Sequence, residues 1–386
     1  GAITISSTLG DISTQDLKSL SATFSLSGEG DGNGGAITIS STAGNISAGS
    51  LSSRSEAAAG NSGNGGVISL ASTSGNISTQ YLDSSSFSNL SENGNGGTIT
   101  ISSTSGDITT QNLISIGHKV GNGGAITISS ISGDISTQNI RSFSSSPSGD
   151  SGNGGPITIS SISGDISTQD IRSFSFSFPF SSSDSGNSEN GGTISVITEK
   201  GSIVGNENPL LISGSISSSG EITGTGGTIT LHAESLSGLT LFTLASGGKS
   251  GDVDIQSLDN GLTVQNLSIV TTAQVEIPDP QNPEKTITLD LRNLGQSGNT
   301  SFSSAGEIVL NNVNIQSDAN GSQSAGSVTI TSPSQVIFDN SQISSNANSS
   351  GAAGSILIEA AQLSLGEGDR ISASTTGIGN AGDITL

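Results

Sequence analysis

The chain is built on a short alternation of apolar and polar residues that returns at nearly regular intervals. The recurring unit reads Gly-Gly-x-Ile-Thr-Ile-Ser-Ser, then x-x-Gly-Asp-Ile-Ser-Thr-Gln-x-Leu, and ends in a stretch rich in Ser, Gly and Asp. Alternation with a period of two is typical of a half-buried β-strand, and the many β-branched residues agree with a strand. The first Ile of the unit, called the leading Ile below, occurs at Ile3, Ile37, Ile68, Ile99, Ile126, Ile157, Ile194 and Ile229.

A second apolar position follows the leading Ile at a constant distance. In six units an Ile lies nine residues after the leading Ile, at Ile12, Ile46, Ile77, Ile108, Ile135 and Ile166. All variation in length falls in the polar segment before the next Gly-Gly. One unit cannot bury its few Ile residues alone, whereas stacked units bury them as continuous columns. We therefore predict an all-β fold, a right-handed parallel β-helix (solenoid) of about fourteen coils, with the hand taken from the general rule for parallel connections.

The regularity of the repeat divides this predicted solenoid into three consecutive parts. Residues 1–195 are regular coils of 27–37 residues with one variable loop each. Residues 196–300 are irregular coils, with a loop excursion near 277–285, where three Pro residues interrupt the pattern. Residues 301–386 are shorter, degenerate coils. Weaker coil starts are expected near Val253, Ile287, Ile308, Val328, Ile356 and Ile384.

The composition and the net charge of the chain limit both its class of structure and its possible partners. Only 30% of the residues are hydrophobic and 55 are Gly, which by itself favours disorder, so the fold prediction depends on the repeat. The net charge of -22 argues against nucleic acid and anionic membranes as partners. Cys is absent, which excludes disulfides, and no apolar run approaches the roughly 18 residues of a membrane span. Because the sequence begins and ends inside a repeat, we expect it to be an excerpt of a longer chain.

The repeat also supports a family resemblance. The Gly-Asn-Gly-Gly-Ala-Ile-Thr-Ile units, together with Gly379–Leu386 at the end of the chain, resemble the repeat region of large filamentous haemagglutinin-like exoproteins of the cyanobacterial type. The resemblance covers essentially the whole chain and concerns its composition and its period. It implies a passenger of two-partner secretion that is extracellular or displayed on the cell surface and has an adhesion or matrix role.

One corner of the predicted coil carries acidic and amide residues. They hold a single register at Asp11, Asn45, Asn76, Asp107, Asp134 and Asp165. Stacked coils would place Asp107, Asp134 and Asp165 about 4.8 Å apart. Carboxylates at this short distance repel one another or bind a cation, and calcium prefers such oxygen ligands. Weak calcium binding by these three residues is therefore one hypothesis, and an Asx-turn to each residue's own backbone is the alternative. No other cofactor is predicted.

Two further sets of positions are expected to stabilise the stack. An apolar column is predicted at Ile37, Ile68, Ile99, Ile126 and Ile157. A ladder of stacked amides is predicted at Gln15, Gln80, Gln111, Gln138 and Gln169.

The most aromatic stretch reads Phe-Ser-Phe-Ser-Phe-Pro-Phe from Phe174 to Phe180. Phe143 and Phe174 share a register and are expected to stack in the core, and Phe176 and Phe178 continue the same alternating face. The alternative is that Phe176, Phe178 and Phe180 form an exposed contact patch for a partner or a neighbouring rod.

These residues favour a structural function over catalysis. Catalytic β-helices need clustered carboxylates beside a base, whereas here the carboxylates form a monotonous ladder, and His118 and His232 fall in different registers. We therefore predict no enzymatic activity and no catalytic residue. The expected function is an extracellular structural and adhesive rod, a stalk or fibre for attachment to a cell surface, a surface glycan or a matrix. Alternatives are a filament or sheath subunit that associates end to end or side by side, and a polysaccharide-binding or polysaccharide-processing β-helix.

Overall fold

The protein is a parallel β-solenoid in which each coil stacks in register on the one before it. The structure is a computed structural model that describes residues 1–23, 32–57, 62–88, 94–146, 149–177, 186–206, 209–217, 224–271, 276–278, 286–288 and 295–386. The predicted all-β, parallel solenoid fold is confirmed by this architecture, and the handedness stays a prediction. A coil is named below by the first residue of its strand in sheet 1.

Sheet 1 runs along the whole described chain and contains one strand from each coil. Its thirteen strands follow one another in chain order and are all parallel, one fewer than the predicted number of coils. The strands are Ile3–Ser7, Ile37–Ser41, Ile68–Ser72, Ile99–Ser103, Ile126–Ser130, Ile157–Ser161, Ile194–Thr198, Ile229–His232, Val253–Ser257, Thr300–Ser304, Val328–Thr331, Ile356–Glu359 and Ile384–Thr385.

Sheet 2 covers the other sides of the coils. A long strand in one coil pairs with two shorter strands in the next, as Ile135–Ser146 does with Ile166–Thr168 and Ile171–Ser177. The strands of sheet 2 are Ile12–Thr14, Leu17–Lys18, Ile46–Ser52, Ile77–Asp83, Ile108–His118, Ile135–Ser146, Ile166–Thr168, Ile171–Ser177, Ser202–Gly205, Leu210–Ser217, Ser235–Ser237, Thr240–Ala245, Leu262–Val270, Ile308–Gln316, Gln335–Asp339, Gln342–Ser344, Gln362–Ser364 and Arg370–Ser372.

Two small sheets complete the described strands. A parallel three-stranded sheet consists of Ser21–Thr23, Ser55–Ala57 and Ser86–Ser88. It extends the third side of the first coils, which is the stretch of each coil that follows the bend in sheet 2. Glu276–Pro278 pairs antiparallel with Thr286–Thr288. This hairpin borders the predicted excursion at 277–285, of which residues 279–285 lie outside the described part of the chain.

The core is a set of apolar columns that run parallel to the solenoid axis. The leading Ile residues pair in register from coil to coil and are fully buried at Ile37, Ile68, Ile99, Ile126 and Ile157. Ile128 and Ile135 belong to parallel columns in the same core. Stacking removes each Ile from water on both sides, and a fully buried aliphatic side chain contributes about 1.5–3 kcal/mol.

Two of the weaker coil starts, at Ile287 and Ile308, are predicted wrongly. Ile308 begins a strand of sheet 2, and Ile287 lies in the antiparallel hairpin. The sheet 1 strand of this region is Thr300–Ser304, which pairs with Val253–Ser257. The apolar repeat pattern did not identify this strand because its first inward residue is Thr300. Phe302 is the one large apolar residue of the strand that faces the core.

In the regular coils the third side faces the core with serine and not with phenylalanine. In the coil of Ile126 this side runs from Ile140 to Ser146, with Ile140, Ser142 and Ser144 fully buried. The prediction that Phe143 points into the core with Ile140 is wrong, because residues three apart in a strand lie on opposite faces. The strand continues to Ser146.

Close approach of backbone explains why the inner side takes serine. A Cβ added to Gly123 would lie 2.7 Å from Ser142 Oγ and 2.8 Å from the backbone nitrogen of Phe143. Ser142 Oγ donates a hydrogen bond to the carbonyl of Gly124 at 2.6 Å. The Gly-Gly pair and the third side therefore pack so closely that only Gly and a hydrogen-bonded Ser fit between them.

Candidate functional site

The acidic and amide residues predicted at one corner form a continuous hydrogen-bonded ladder, called the Asp ladder. Asp134 donates its backbone N–H to Asp107 Oδ1 at 2.9 Å, and Asp165 donates to Asp134 Oδ1 at 2.8 Å. The ladder begins with Asn45 donating to Asp11 at 2.7 Å and ends with Ser202 donating to Asp165 at 2.8 Å. Each side chain thus accepts a hydrogen bond from the backbone of the next coil, a role that the sequence analysis did not consider.

A second ladder, which the sequence reasoning missed, runs along the Gly-Asn-Gly-Gly corner and is called the Asn ladder. Asn122 donates its backbone N–H to Asn95 Oδ1 at 2.8 Å, and Asn153 donates to Asn122 Oδ1 at 2.7 Å. The members are Asn33, Asn64, Asn95, Asn122, Asn153 and Asn190, with Thr225 as the last donor. The signal was present, because an Asn stands four residues before the leading Ile in each of these coils.

A third set of inter-coil bonds stabilises the turn between sheet 1 and the Asp ladder. Ser130 Oγ accepts the backbone N–H of Gly133 at 2.9 Å and donates to the carbonyl of Gly106 in the preceding coil at 3.3 Å. Ser161 makes the equivalent pair of bonds with Gly164 and Gly133. The Ser therefore closes its own turn and ties it to the coil below.

At the predicted Gln ladder the Gln side chains lie at a bend of sheet 2. Gln80, Gln111 and Gln138 are exposed, and their positions fall between two paired stretches of the strands. An amide-to-amide hydrogen bond at this bend joins Asn139 Nδ2 to Asn112 Oδ1 at 3.1 Å. Stabilisation by stacked Gln amides stays a prediction.

The aromatic residues occupy the outer face of the third side, opposite the inward serines. Phe143 pairs with Phe174, as the shared register predicted, but Phe174 and Phe176 are buried in a second apolar cluster with Ile212, separate from the main core. Phe176 is only 8% exposed, so it does not form an exposed patch. Phe178 and Phe180 lie outside the described residues.

The same outer face continues towards earlier coils as a partly exposed apolar surface, called the outer strip. It consists of Phe87, Ile114, Ile116, His118 and Phe143. Phe87 is 40% exposed, and its ring lies 4.9 Å from the His118 ring, measured between centroids. Burial lowers the pKa of His118, and the charge of Lys119 lowers it further, so the imidazole is held in its neutral form.

A group of polar residues borders the outer strip. Tyr81 donates its hydroxyl hydrogen to Asp83 Oδ2 at 3.2 Å, and Arg54 places Nε 3.4 Å from the same oxygen. Arg54 also contacts Glu56 through Nη2 at 3.1 Å. Burial, followed by the charge of Asp83 and the hydrogen bond to it, raises the pKa of Tyr81 to about 12. The group is an ion-pair network in which Arg54 Nε lies within ion-pair distance of Asp83 but makes no hydrogen bond.

The acidic residues of the Asp ladder are stacked along the solenoid, one in each coil. Among the described residues, no group of three or more His, Asp or Glu side chains is close enough to hold a metal ion. Oδ1 of Asp107, Asp134 and Asp165 is engaged by a backbone N–H of the next coil. Calcium binding by these carboxylates stays a hypothesis for which the ladder offers one remaining oxygen per residue.

Comparison with known proteins gives no relative. No protein-family model matches the chain, and the curated proteins and the solved structures compared with it contain no match. Within its described residues, the chain forms no helix long and apolar enough to cross a membrane. On its own geometry, the chain is a β-solenoid repeat protein.

Proposed function

We propose that the chain is the rod of an extracellular structural and adhesive protein, a stalk or fibre for attachment to a cell surface or matrix. The observation that carries this proposal is the unbroken stack of thirteen parallel strands in sheet 1, tied at two corners by side-chain ladders. Thirteen strands at about 4.8 Å each make a rod roughly 60 Å long. The proposed role uses length and stiffness and involves no catalysis.

The family resemblance supports the finer part of this proposal, which is that the rod belongs to a filamentous haemagglutinin-like exoprotein secreted by the two-partner route. The test is labelling of intact producing cells with an antibody raised against the purified chain. We expect labelling without permeabilisation and its loss in cells from which the gene has been deleted. Labelling that appears only after permeabilisation would contradict the extracellular location.

A second candidate function is that of a self-assembling filament or sheath subunit, and the outer strip favours it. Apolar residues such as Ile116 and Phe143 remain partly exposed on a side of the rod that continues over several coils. Exposed apolar surfaces of this kind are common at protein contacts. Packing of two rods along this strip would give side-by-side association.

Sedimentation of wild type, Phe143→Ser and Ile116→Ser over a range of concentrations tests this second candidate. We expect the wild type to associate and both variants to remain monomeric. Thr127→Ser on the outer face of sheet 1 is the matched control and should associate like wild type. Association that is unchanged in both outer-strip variants would exclude this surface. A glycan array probed with the same proteins distinguishes an adhesin from a filament.

A further inference from the structure

Asn–Gly pairs can react with themselves. The backbone nitrogen of the Gly attacks Cγ of the Asn, so that a new N–Cγ bond forms and the Cγ–Nδ2 bond breaks. The Gly N–H proton passes to solvent base, and Nδ2 takes up a proton and leaves as ammonia. Water then opens the cyclic imide at either carbonyl, giving aspartate or isoaspartate. The reaction requires only water, and it requires the Gly nitrogen to be free to reach Cγ.

The Asn ladder consists of such pairs, and it holds both reacting groups. In the pair Asn122–Gly123, Oδ1 accepts the N–H of Asn153 at 2.7 Å, and the Gly N–H donates to the carbonyl of Asn153 at 2.9 Å. The same two bonds recur in Asn64–Gly65 and Asn95–Gly96. Both hydrogen bonds must open before the Gly nitrogen approaches Cγ, so the folded coil protects the pair.

The pair Asn260–Gly261 lies outside the Asn ladder. It differs from the ladder pairs in the hydrogen bonds of the Gly nitrogen and of the Asn Oδ1. Asn260 is exposed in the turn before the strand Leu262–Val270. Within the described part of the chain, the N–H of Gly261 has no hydrogen-bond partner. Asn260 Oδ1 accepts no bond there either, and its Nδ2 donates to Glu234 Oε1 at 2.6 Å. The Gly261 nitrogen is therefore free of any inter-coil hydrogen bond among the described residues, and the Asn260 amide is held only through Nδ2, by Glu234 of the preceding coil.

We propose that Asn260–Gly261 is a site of spontaneous deamidation in the folded rod, and that the Asn ladder protects the Asn–Gly pairs of the regular coils. An isoaspartate at position 260 adds a carbon atom to the main chain. The carbonyl of Asn260 accepts the N–H of Gly306 from the next coil at 3.2 Å. The modification therefore displaces an inter-coil bond and loosens the contact between the coil of Val253, which is the longest, and the coil of Thr300.

Asn320–Gly321 provides an internal comparison of intermediate character. Asn320 Oδ1 accepts a hydrogen bond from Asn348 Nδ2 at 2.9 Å, and Gly321 is buried. The Asn320 side chain is thus held by a hydrogen bond, and Gly321, which supplies the attacking nitrogen, is enclosed. We expect this pair to react more slowly than Asn260–Gly261.

The test is incubation of the folded chain in warm, mildly alkaline buffer, followed by proteolysis and mass spectrometry at each Asn–Gly pair. Isoaspartate is detected separately by enzymatic methylation. We expect Asn260 to deamidate about tenfold or more faster than Asn64, Asn95 and Asn122, because two inter-coil bonds protect each ladder pair. In denaturant the rates at all four positions should become equal.

Asn260→Ser is the control variant and should lose the isoaspartate signal at position 260 while the ladder pairs are unchanged. Two results would overturn the proposal. One is deamidation of the ladder pairs in the folded protein as fast as that of Asn260. The other is an Asn260 that stays intact in the folded protein while the same pair reacts in denaturant, which would show that this turn is protected too.

Discussion

Asp134 Oδ1 accepts the backbone N–H of Asp165, the equivalent residue of the next coil, at 2.8 Å. Each step of the Asp ladder repeats this relationship, so that a side-chain oxygen replaces the carbonyl acceptor that a continuous strand would supply. The bond explains why Asp and Asn alternate freely at this position, since both offer Oδ1. Hydrogen bonding, and not charge, is therefore the property that the corner requires.

Replacing Asp134 with Ala should weaken the stack locally, while Asp134→Asn should leave it intact. The Ala variant loses the acceptor for Asp165, at a cost of about 0.5–1.5 kcal/mol. Hydrogen exchange at the Asp165 amide measures the effect directly, which matters because repeat arrays do not unfold in a single step. Equal acceleration of exchange in the Asn and Ala variants would show that the charge is what stabilises this corner.

Calcium should change the melting temperature little. One oxygen of each ladder carboxylate is already bonded, and no group of three acidic or His side chains among the described residues can surround an ion. We expect the melting temperature in about 1 mM calcium, the affinity range of extracellular sites, to equal that in EDTA. A rise that disappears in Asp134→Asn would instead establish a calcium site on the ladder.

The sequence predicted the columns of the solenoid better than its corners. The leading Ile residues and the shared register of Phe143 with Phe174 follow from constant spacing, which any stacked repeat must satisfy. The side of the strand that carries Phe143 was predicted wrongly, because the strand after Ile140 looks amphipathic with either face inward. Only the close approach of Gly123 to Ser142 decides that the serines face inward, and that contact joins residues far apart in the repeat.

The ladders illustrate a different limit of sequence reasoning. An Asp that recurs at one position predicts a functional role, and its spacing gives the distance to the next coil. The pattern contains no information on whether Oδ1 turns towards its own backbone, an ion or the next coil. That choice depends on the direction of the N–H of Asp165, which is set by how the corner bends.

Gly124→Ala should destabilise the rod more than Gly10→Ala. A Cβ at position 124 would lie 2.1 Å from the carbonyl oxygen of Gly97 in the preceding coil, so the backbone must shift. At position 10 the nearest atom is Ser7 Oγ at 3.6 Å, an ordinary contact. We expect a loss of about 1–3 kcal/mol for Gly124→Ala, as for overpacked cores, and a change within about 0.5 kcal/mol for Gly10→Ala. Native-state hydrogen exchange at amides of the coils in contact compares the two variants locally, and equal losses would contradict the close coil contact.

Tyr81 should ionise at unusually high pH and make the fold sensitive to alkali. Its pKa is raised from 10.0 to about 12 by burial, then by the charge of Asp83 and the hydrogen bond to it. Because the folded protein retains the proton where the unfolded chain has lost it, this contribution to stability is complete below pH 10 and is lost as the pH rises towards 12.

The chain has one Tyr and no Trp, so the ultraviolet absorbance of tyrosinate reports Tyr81 alone. We expect a titration midpoint near pH 12 in the folded protein. Asp83→Asn should lower the midpoint only in part, since burial is the largest cause, and denaturant should return it to the ordinary value. Tyr81→Phe should remove the alkaline loss of stability that is due to this group. A midpoint at the ordinary value in the folded wild type would mean that the Tyr81 hydroxyl is open to solvent and not bonded to Asp83.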